Sequence, residues 1–222
     1  MTLPPRPVVL FDLDGTLSDN YLGISRSIGY ALQRLDAAPA EEAALRRCVG
    51  PPLRESFRWL LATDDAASIE RAIGFYRERF ADVGWRENTV YAGIDVALPA
   101  LAAHSTLYVC TAKPDVFARR IIEMFGFTGH FAAIYGADLA GRLDDKAHLL
   151  AHLAQEEGVD PTAAIMVGDR AHDVRAARRN GAGAIGVLWG YGSREELADA
   201  DSLAATPHEL ASLLDRVRAA RR

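Results

Sequence analysis

The segment Val8-Val9-Leu10-Phe11-Asp12-Leu13-Asp14-Gly15-Thr16-Leu17 constrains this chain more than any other. An apolar run of four residues ends abruptly in two aspartates one residue apart. The run predicts a strand over Val8 to Asp12, buried in the middle of a sheet. Strand side chains repeat every two residues, so Asp12 and Asp14 leave the strand end on the same side. Two carboxylates held together call for a cation, a shared proton, or both.

Four further apolar runs predict parallel strands: Leu107 to Thr111, Ala133 to Tyr135, Ala164 to Val167 and Ala184 to Leu188. Helical patterns alternate with them over Gly93–Ala103, Pro114–Phe125, Lys146–Glu157 and Ala171–Arg179. This alternation predicts an α/β fold with a doubly wound, Rossmann-like parallel sheet. In such sheets ligands bind beyond the carboxyl ends of the strands. Several of these runs end there in polar or glycine residues, Asp12, Thr111 and Gly168-Asp169.

About ninety residues separate the first two strands, far more than a normal crossover needs. Tyr21, Ile24, Ile28, Leu32 and Leu35 recur at helical spacing; so do Ile69, Ile73, Tyr76 and Phe80, and more weakly Leu53, Phe57 and Leu60. The insertion therefore reads as an all-α cap domain of four amphipathic helices, residues 19–88, set into a core of residues 1–18 and 89–222. Its aromatic residues Tyr21, Phe57, Tyr76 and Phe80 are expected in the bundle core. Pro4-Pro5 and Pro7 predict an extended or disordered N-terminal lead.

Composition closes off several other classes. The net charge of −5 and the absence of clustered Lys and Arg give no nucleic-acid footprint. The short basic tail, Arg216 to Arg222, reads as the solvated end of a terminal helix. No run approaches the length of a membrane span, and no secretory apolar region precedes Val8. Cys48 and Cys110 lie far apart, which fits reduced thiols and a cytoplasmic protein.

Four polar clusters carry the chemistry: Asp12/Asp14/Thr16, Thr111-Ala112-Lys113-Pro114, Lys146 in Asp144-Asp145-Lys146-Ala147-His148, and Gly168-Asp169-Arg170-Ala171-His172-Asp173. Carboxylates without supporting Cys or His pairs favour Mg²⁺ over zinc, and Mg²⁺ commonly bridges carboxylates to a substrate phosphate. A lysine and a hydroxyl suit the remaining phosphate oxygens. An aspartate beside the metal can act as nucleophile.

In their order and spacing these clusters resemble the haloacid dehalogenase superfamily of hydrolases, over Val8 to about Leu210. The insertion resembles that family's helical cap. TAKP, GDRAHD and the segment Gly186-Val187-Leu188-Trp189-Gly190-Tyr191-Gly192 resemble the phosphoglycolate phosphatase-like branch. The resemblance implies a Mg²⁺-dependent phosphatase of small phosphorylated metabolites, in which Asp12 attacks phosphorus and becomes an aspartyl phosphate. Asp14 protonates the leaving alcohol, activates water and meets the metal through its carbonyl. Asp169 binds the metal directly and Asp173 supports it. Thr111, with the backbone of Ala112, meets the phosphate, Lys146 neutralises charge, and Thr16 shapes the turn at the substrate phosphate. Lys146 stands ahead of Lys113 on motif order. The second aspartate, Asp14, separates phosphatases from dehalogenases, because a halide needs no proton.

Phosphoglycolate is the first substrate expected by resemblance. A 5′-nucleotidase acting on nucleoside monophosphates, a phosphosugar mutase and a non-catalytic phosphate-sensing module are the alternatives. The cap is expected to open and close over the substrate. The loop Val49-Gly50-Pro51-Pro52-Leu53, flanked by Arg47 and Arg54, is the candidate specificity element. A monomer or homodimer without nucleic-acid or membrane partners is expected. Gly181-Ala182-Gly183-Ala184-Ile185-Gly186 matches a dinucleotide fingerprint by letters only, since it follows a helix and precedes a strand. His172 reads as a polar residue at a helix edge rather than a general base.

Overall fold

The computed structural model describes residues 6–139 and 143–221; Pro4-Pro5 and Arg222 lie outside them. The chain divides into two compact units, Met1–Leu17 with Val90–Arg222, and Ser18–Thr89.

The first unit is built on six parallel strands: β1 (Val8–Phe11), β4 (Thr106–Pro114), β5 (Ala133–Ala137), β6 (Ala164–Gly168), β7 (Gly183–Val187) and β8 (Ser202–Ala204). Their order is β5-β4-β1-β6-β7-β8. The chain thus winds outward from β1 through β4 to β5, then returns to the other side for β6, β7 and β8. This is the doubly wound α/β fold, with its switch point between β1 and β6. Every residue of β6 and β7 is buried, as continuous apolar or small-residue runs require when helices cover both faces.

The crossovers are α5 (Ile94–His104), α6 (Asp115–Met124), α7 (Lys146–Glu156) and α8 (Ala171–Arg179), with α9 (Leu210–Ala220) closing the chain. Leu149, Leu150 and Leu153 of α7 and Val174, Ala176 and Ala177 of α8 pack in one core with Leu10, Cys110 and Met166. Burial there pushes the Cys110 thiol up to about 12, so it behaves as an apolar side chain.

In the second unit, α1 (Tyr21–Arg34), α2 (Glu42–Arg47), α3 (Leu53–Leu60) and α4 (Ala66–Asp82) share a core of Ile24, Ile28, Phe57, Ile73, Tyr76 and Phe80. Tyr76 stacks on Phe80 at 5.3 Å and meets the edge of Phe57 at 6.3 Å. Tyr21 departs from the expected core role: it is only partly buried, and the Arg46 guanidinium lies 4.7 Å from its ring centre. α1 approaches the 3₁₀ turn Gly84–Arg86 so closely that a Cβ on Gly23 would stand 2.0 Å from the Gly84 carbonyl oxygen. A short ribbon of β2 (Ser18–Asp19) and β3 (Thr89–Val90) lies where the chain enters and leaves this unit. Among the described residues no helix is long and apolar enough to cross a membrane.

Candidate active site

The strand registers set the site. Phe11 lies level with Val109 on β4 and with Val167 on β6. The residues that follow, Asp12, Thr111 and Gly168-Asp169, therefore leave the sheet at one carboxyl edge, beside the switch point. The Asp12 N–H donates to the Val167 carbonyl at 2.9 Å, continuing the ladder up to the first carboxylate.

Asp12, Asp169 and Asp173 each place a carboxylate oxygen within 4.8 Å of the others, and all three are buried. Lys146, the first residue of α7, puts Nζ 2.9 Å from Asp12 Oδ2 and 2.5 Å from Asp173 Oδ1. Asp145 caps that helix by accepting from the N–H groups of Ala147 and His148, which fixes the start from which Lys146 projects. Asp173, in the first turn of α8, accepts from the Arg170 N–H at 2.9 Å through its other oxygen. The capping role and the cluster role coincide in this one carboxylate. A Cβ on Gly168 would stand 2.2 Å from Asp173 Cγ, so only glycine lets Asp173 fold back here.

Asp169 is fully buried. It accepts from the Tyr191 N–H at 2.8 Å and from the Thr16 hydroxyl at 3.3 Å. Thr16, expected beside the substrate phosphate, is itself fully buried and bonded behind Asp169. The Trp189 indole N–H donates to the Thr16 carbonyl at 2.9 Å. A Cβ on Gly190 would lie 2.3 Å from the Gly15 carbonyl oxygen and 2.4 Å from Asp169 Cβ. Gly15 has φ +86°, and a Cβ there would meet Asp169 Oδ2 at 2.2 Å. The Trp189–Gly192 segment is thus a wall of the site. Its sequence signal is two glycines straight after a buried strand; the resemblance marked the segment without giving it a task.

Asp14 stands apart from the three clustered carboxylates. Lys113 Nζ lies 2.5 Å from its Oδ2, and both side chains are buried. Lys113 is therefore a member of the site in its own right, alongside Lys146 rather than in competition with it. The Thr111 hydroxyl, buried on β4, accepts from the Lys113 N–H at 3.2 Å; Ala112 between them is partly exposed. Glu196 accepts from Arg170 Nε at 2.8 Å and from the Ala171 N–H at 2.9 Å, pinning the entry to α8. Nothing in the sequence pattern singled out Glu196.

His172 accepts on Nδ1 from Arg175, 3.2 Å away, because a guanidinium can only donate. Its proton therefore sits on Nε2, a buried atom with no hydrogen-bond partner among the described residues. Burial, then the charges of Lys146 and Arg170, push its pKa down to about 4, so the ring is neutral at pH 7.

The electrostatics are lopsided. Burial, then the charges of Asp173 and Asp12, hold the Asp169 carboxyl well above the usual range. Burial likewise raises Asp173, to about 6, against the pull of Lys146. Burial lowers the Lys146 ammonium, but Asp12 and Asp173 outweigh it and hold it above its ordinary value. Three carboxylates thus stand against one ammonium, which contacts two of them. The donor set is all oxygen, without His or Cys among the three, and suits a hard divalent cation.

A carboxyl raised in the folded state favours folding while protonated, and this contribution is lost as pH climbs from about 4 through 6. Cation binding needs the ionised forms. Near-saturating Mg²⁺ is therefore expected to raise the melting temperature by roughly 5–10 °C at pH 7.5, and by clearly less at pH 5. Thermal unfolding scans with Mg²⁺ and with EDTA at the two pH values measure it; equal gains at both would contradict the proposed competition with protons.

Of the flanking arginines in the helical unit, Arg54 is 2.7 Å from Glu70 and Arg47 stacks on Trp59 at 4.5 Å.

Comparison with known proteins agrees with this geometry. The family model described as haloacid dehalogenase-like hydrolase matches residues 9–187. The chain is 46% identical to a Pseudomonas aeruginosa protein named 5′-nucleotidase, over 86% of each. It is 38% identical to the Mycobacterium tuberculosis tyrosine-protein kinase PtkA, over 96% of this chain and 72% of that protein. It is 33% identical to a Xylella fastidiosa phosphoglycolate phosphatase, over 93% and 91%. A predicted phosphatase from Clostridium acetobutylicum superposes with a TM-score of 0.91 at 36% identity, over 96% of this chain and all of that one. The DxD strand end, the lysine that opens α7 and the GD loop stand together at one sheet edge, and the chain belongs to the haloacid dehalogenase-like hydrolase family.

Proposed function

We propose that this phosphatase hydrolyses small phosphomonoesters with Mg²⁺, through a phosphorylated Asp12. One observation carries the reading: Asp12, Asp169 and Asp173 converge within 4.8 Å at the switch point, with Lys146 bridging two of them. Asp12, Asp169 and Asp173, with the Asp14 carbonyl, would hold the metal. The bound cation supplies positive charge against both the carboxylates and the phosphoryl oxygens.

The chain's own groups do the rest. Lys146 fixes the Asp12 carboxylate and offsets charge on the transferring group. Asp12 attacks phosphorus in line, the ester oxygen leaves, and Asp14 gives that oxygen a proton. Asp14 then takes a proton from the water that splits the acyl phosphate, which frees phosphate and restores Asp12. Lys113 holds the Asp14 carboxyl in one orientation for both transfers. Thr111 and the Ala112 backbone face the phosphate.

The role of Asp14 has a specific test. Asp14→Asn is expected to lower kcat/KM on an alkyl phosphate by about 10²–10⁴-fold. On p-nitrophenyl phosphate, whose phenolate leaves without a proton, the loss is expected to be much smaller in the first step. Equal losses on both substrates would refute general acid catalysis by Asp14.

The relatives' names supply two substrate classes. The 46% identity to a protein named 5′-nucleotidase, against 33% to one named phosphoglycolate phosphatase, supports nucleoside 5′-monophosphates as the first class to test. Ranking AMP and phosphoglycolate by kcat/KM decides between them. A phosphoglycolate preference would reverse that order while leaving the phosphatase chemistry intact.

A further inference from the structure

The opposite edge of the same sheet carries a second concentration of charge that the reaction does not use. Below the amino ends of β1 and β6 lies a cavity of about 650 Å³, floored by Val8 and Ile165. That size falls within the range of small-molecule sites. Its described lining holds three guanidiniums, Arg6, Arg218 and Arg221, and one carboxylate, Asp160; outside the lining, Asp215 lies 3.5 Å from Arg218 and Asp201 3.9 Å from Arg221. Asp160 is directed inward to its own turn: Oδ1 accepts from both the N–H and the hydroxyl of Thr162.

The arginines are placed by the fold. The buried stripe of α9 runs through Leu210, Leu213, Leu214 and Val217. Arg218 and Arg221 continue that stripe at helical spacing, where two more apolar residues would extend the core. Instead, two side chains that are only 30% and 26% exposed bring guanidiniums beneath the sheet. Arg221 is anchored by donating to the Gly181 carbonyl. Arg6 is anchored at 2.5 Å to the Ala102 carbonyl. Anchoring one nitrogen of a planar five-donor group orients the others in advance. Cationic forks over an apolar floor match a phosphate group attached to a flat, apolar body.

We propose that this cleft binds a phosphorylated anion of nucleotide size, at a site separate from the catalytic carboxylates. The test is calorimetric titration of the whole chain with ATP in EDTA, where the uncompensated catalytic carboxylates repel the anion. One binding event is expected. It should weaken about tenfold or more in Arg218→Ala/Arg221→Ala, and also in Arg6→Gln on a different element. Arg218→Lys/Arg221→Lys should retain part of the binding. Hydrolysis of p-nitrophenyl phosphate with Mg²⁺ should be unchanged in all three variants. Asp12→Asn should bind ATP as the parent does. Absence of binding at millimolar ATP would overturn the proposal, as would undiminished binding in the alanine and glutamine variants. Tighter binding in Asp12→Asn than in the parent would also overturn it, because relief of that repulsion would place the nucleotide at the catalytic edge.

Discussion

Lys146→Met is expected to destabilise the protein by about 3–5 kcal/mol at pH 7.5 without metal, while nearly conserving side-chain volume. For a chain of this size that corresponds to a fall in melting temperature of roughly 6–20 °C. Lys146 is buried, and its Nζ contacts Asp12 and Asp173 at once. Removing it leaves three buried carboxylates with no ammonium among them. Those carboxyls then fold best when protonated, so the penalty should shrink as pH falls from 7.5 towards 5. A melting temperature that drops by the same amount at both pH values would point to lost packing instead of lost charge balance. Activity should fall with it, because Asp12 loses the group that orients it.

Asp12→Asn should abolish turnover, by about 10⁴-fold or more on p-nitrophenyl phosphate, since an amide cannot attack phosphorus. The fold should tolerate the change. The substitution removes one of three crowded negative charges and leaves Lys146 its contact with Asp173. A variant that melts near the parent yet retains measurable turnover above background would refute the nucleophile assignment. The two substitutions therefore separate from each other: one disrupts the charge balance that supports the site, the other the reacting atom alone.

Much of this was legible in the sequence because the signals were local. Buried parallel strands are short apolar runs, and five of the six strands of the main sheet show them. Helix α8 begins and ends where its pattern does, Ala171–Arg179, because Asp173 caps one end and Asn180-Gly181 terminates the other. β8 was not legible: Ser202–Ala204 is three residues long, and only Ala204 is buried. Its place comes from pairing with β7, not from its own composition. The same holds within the site. Asp12, Asp169 and Asp173 announce themselves as carboxylates beside strand ends. Glu196 does not, nor do the tasks of Lys113 and the Trp189–Gly192 wall, because these arise from tertiary approach. The β-bulge between Thr111 and Pro114 is a case in point: Lys113 lies beyond the regular register, and it is inside that irregular stretch that it reaches Asp14. Thr16 shows a contact the motif alone does not reveal, a buried hydroxyl that donates to Asp169.

The most direct measurement is chemical capture of the phosphorylated enzyme. Protein mixed with a phosphomonoester and Mg²⁺ is quenched within a turnover, reduced with borohydride and mapped by peptide mass spectrometry. Reduction of an acyl phosphate converts aspartate to homoserine. The account predicts homoserine at position 12, dependent on substrate and on Mg²⁺, with Asp14 unmodified. Phosphate release in the same samples with position 12 still aspartate, or with the modification at another carboxylate, would contradict it.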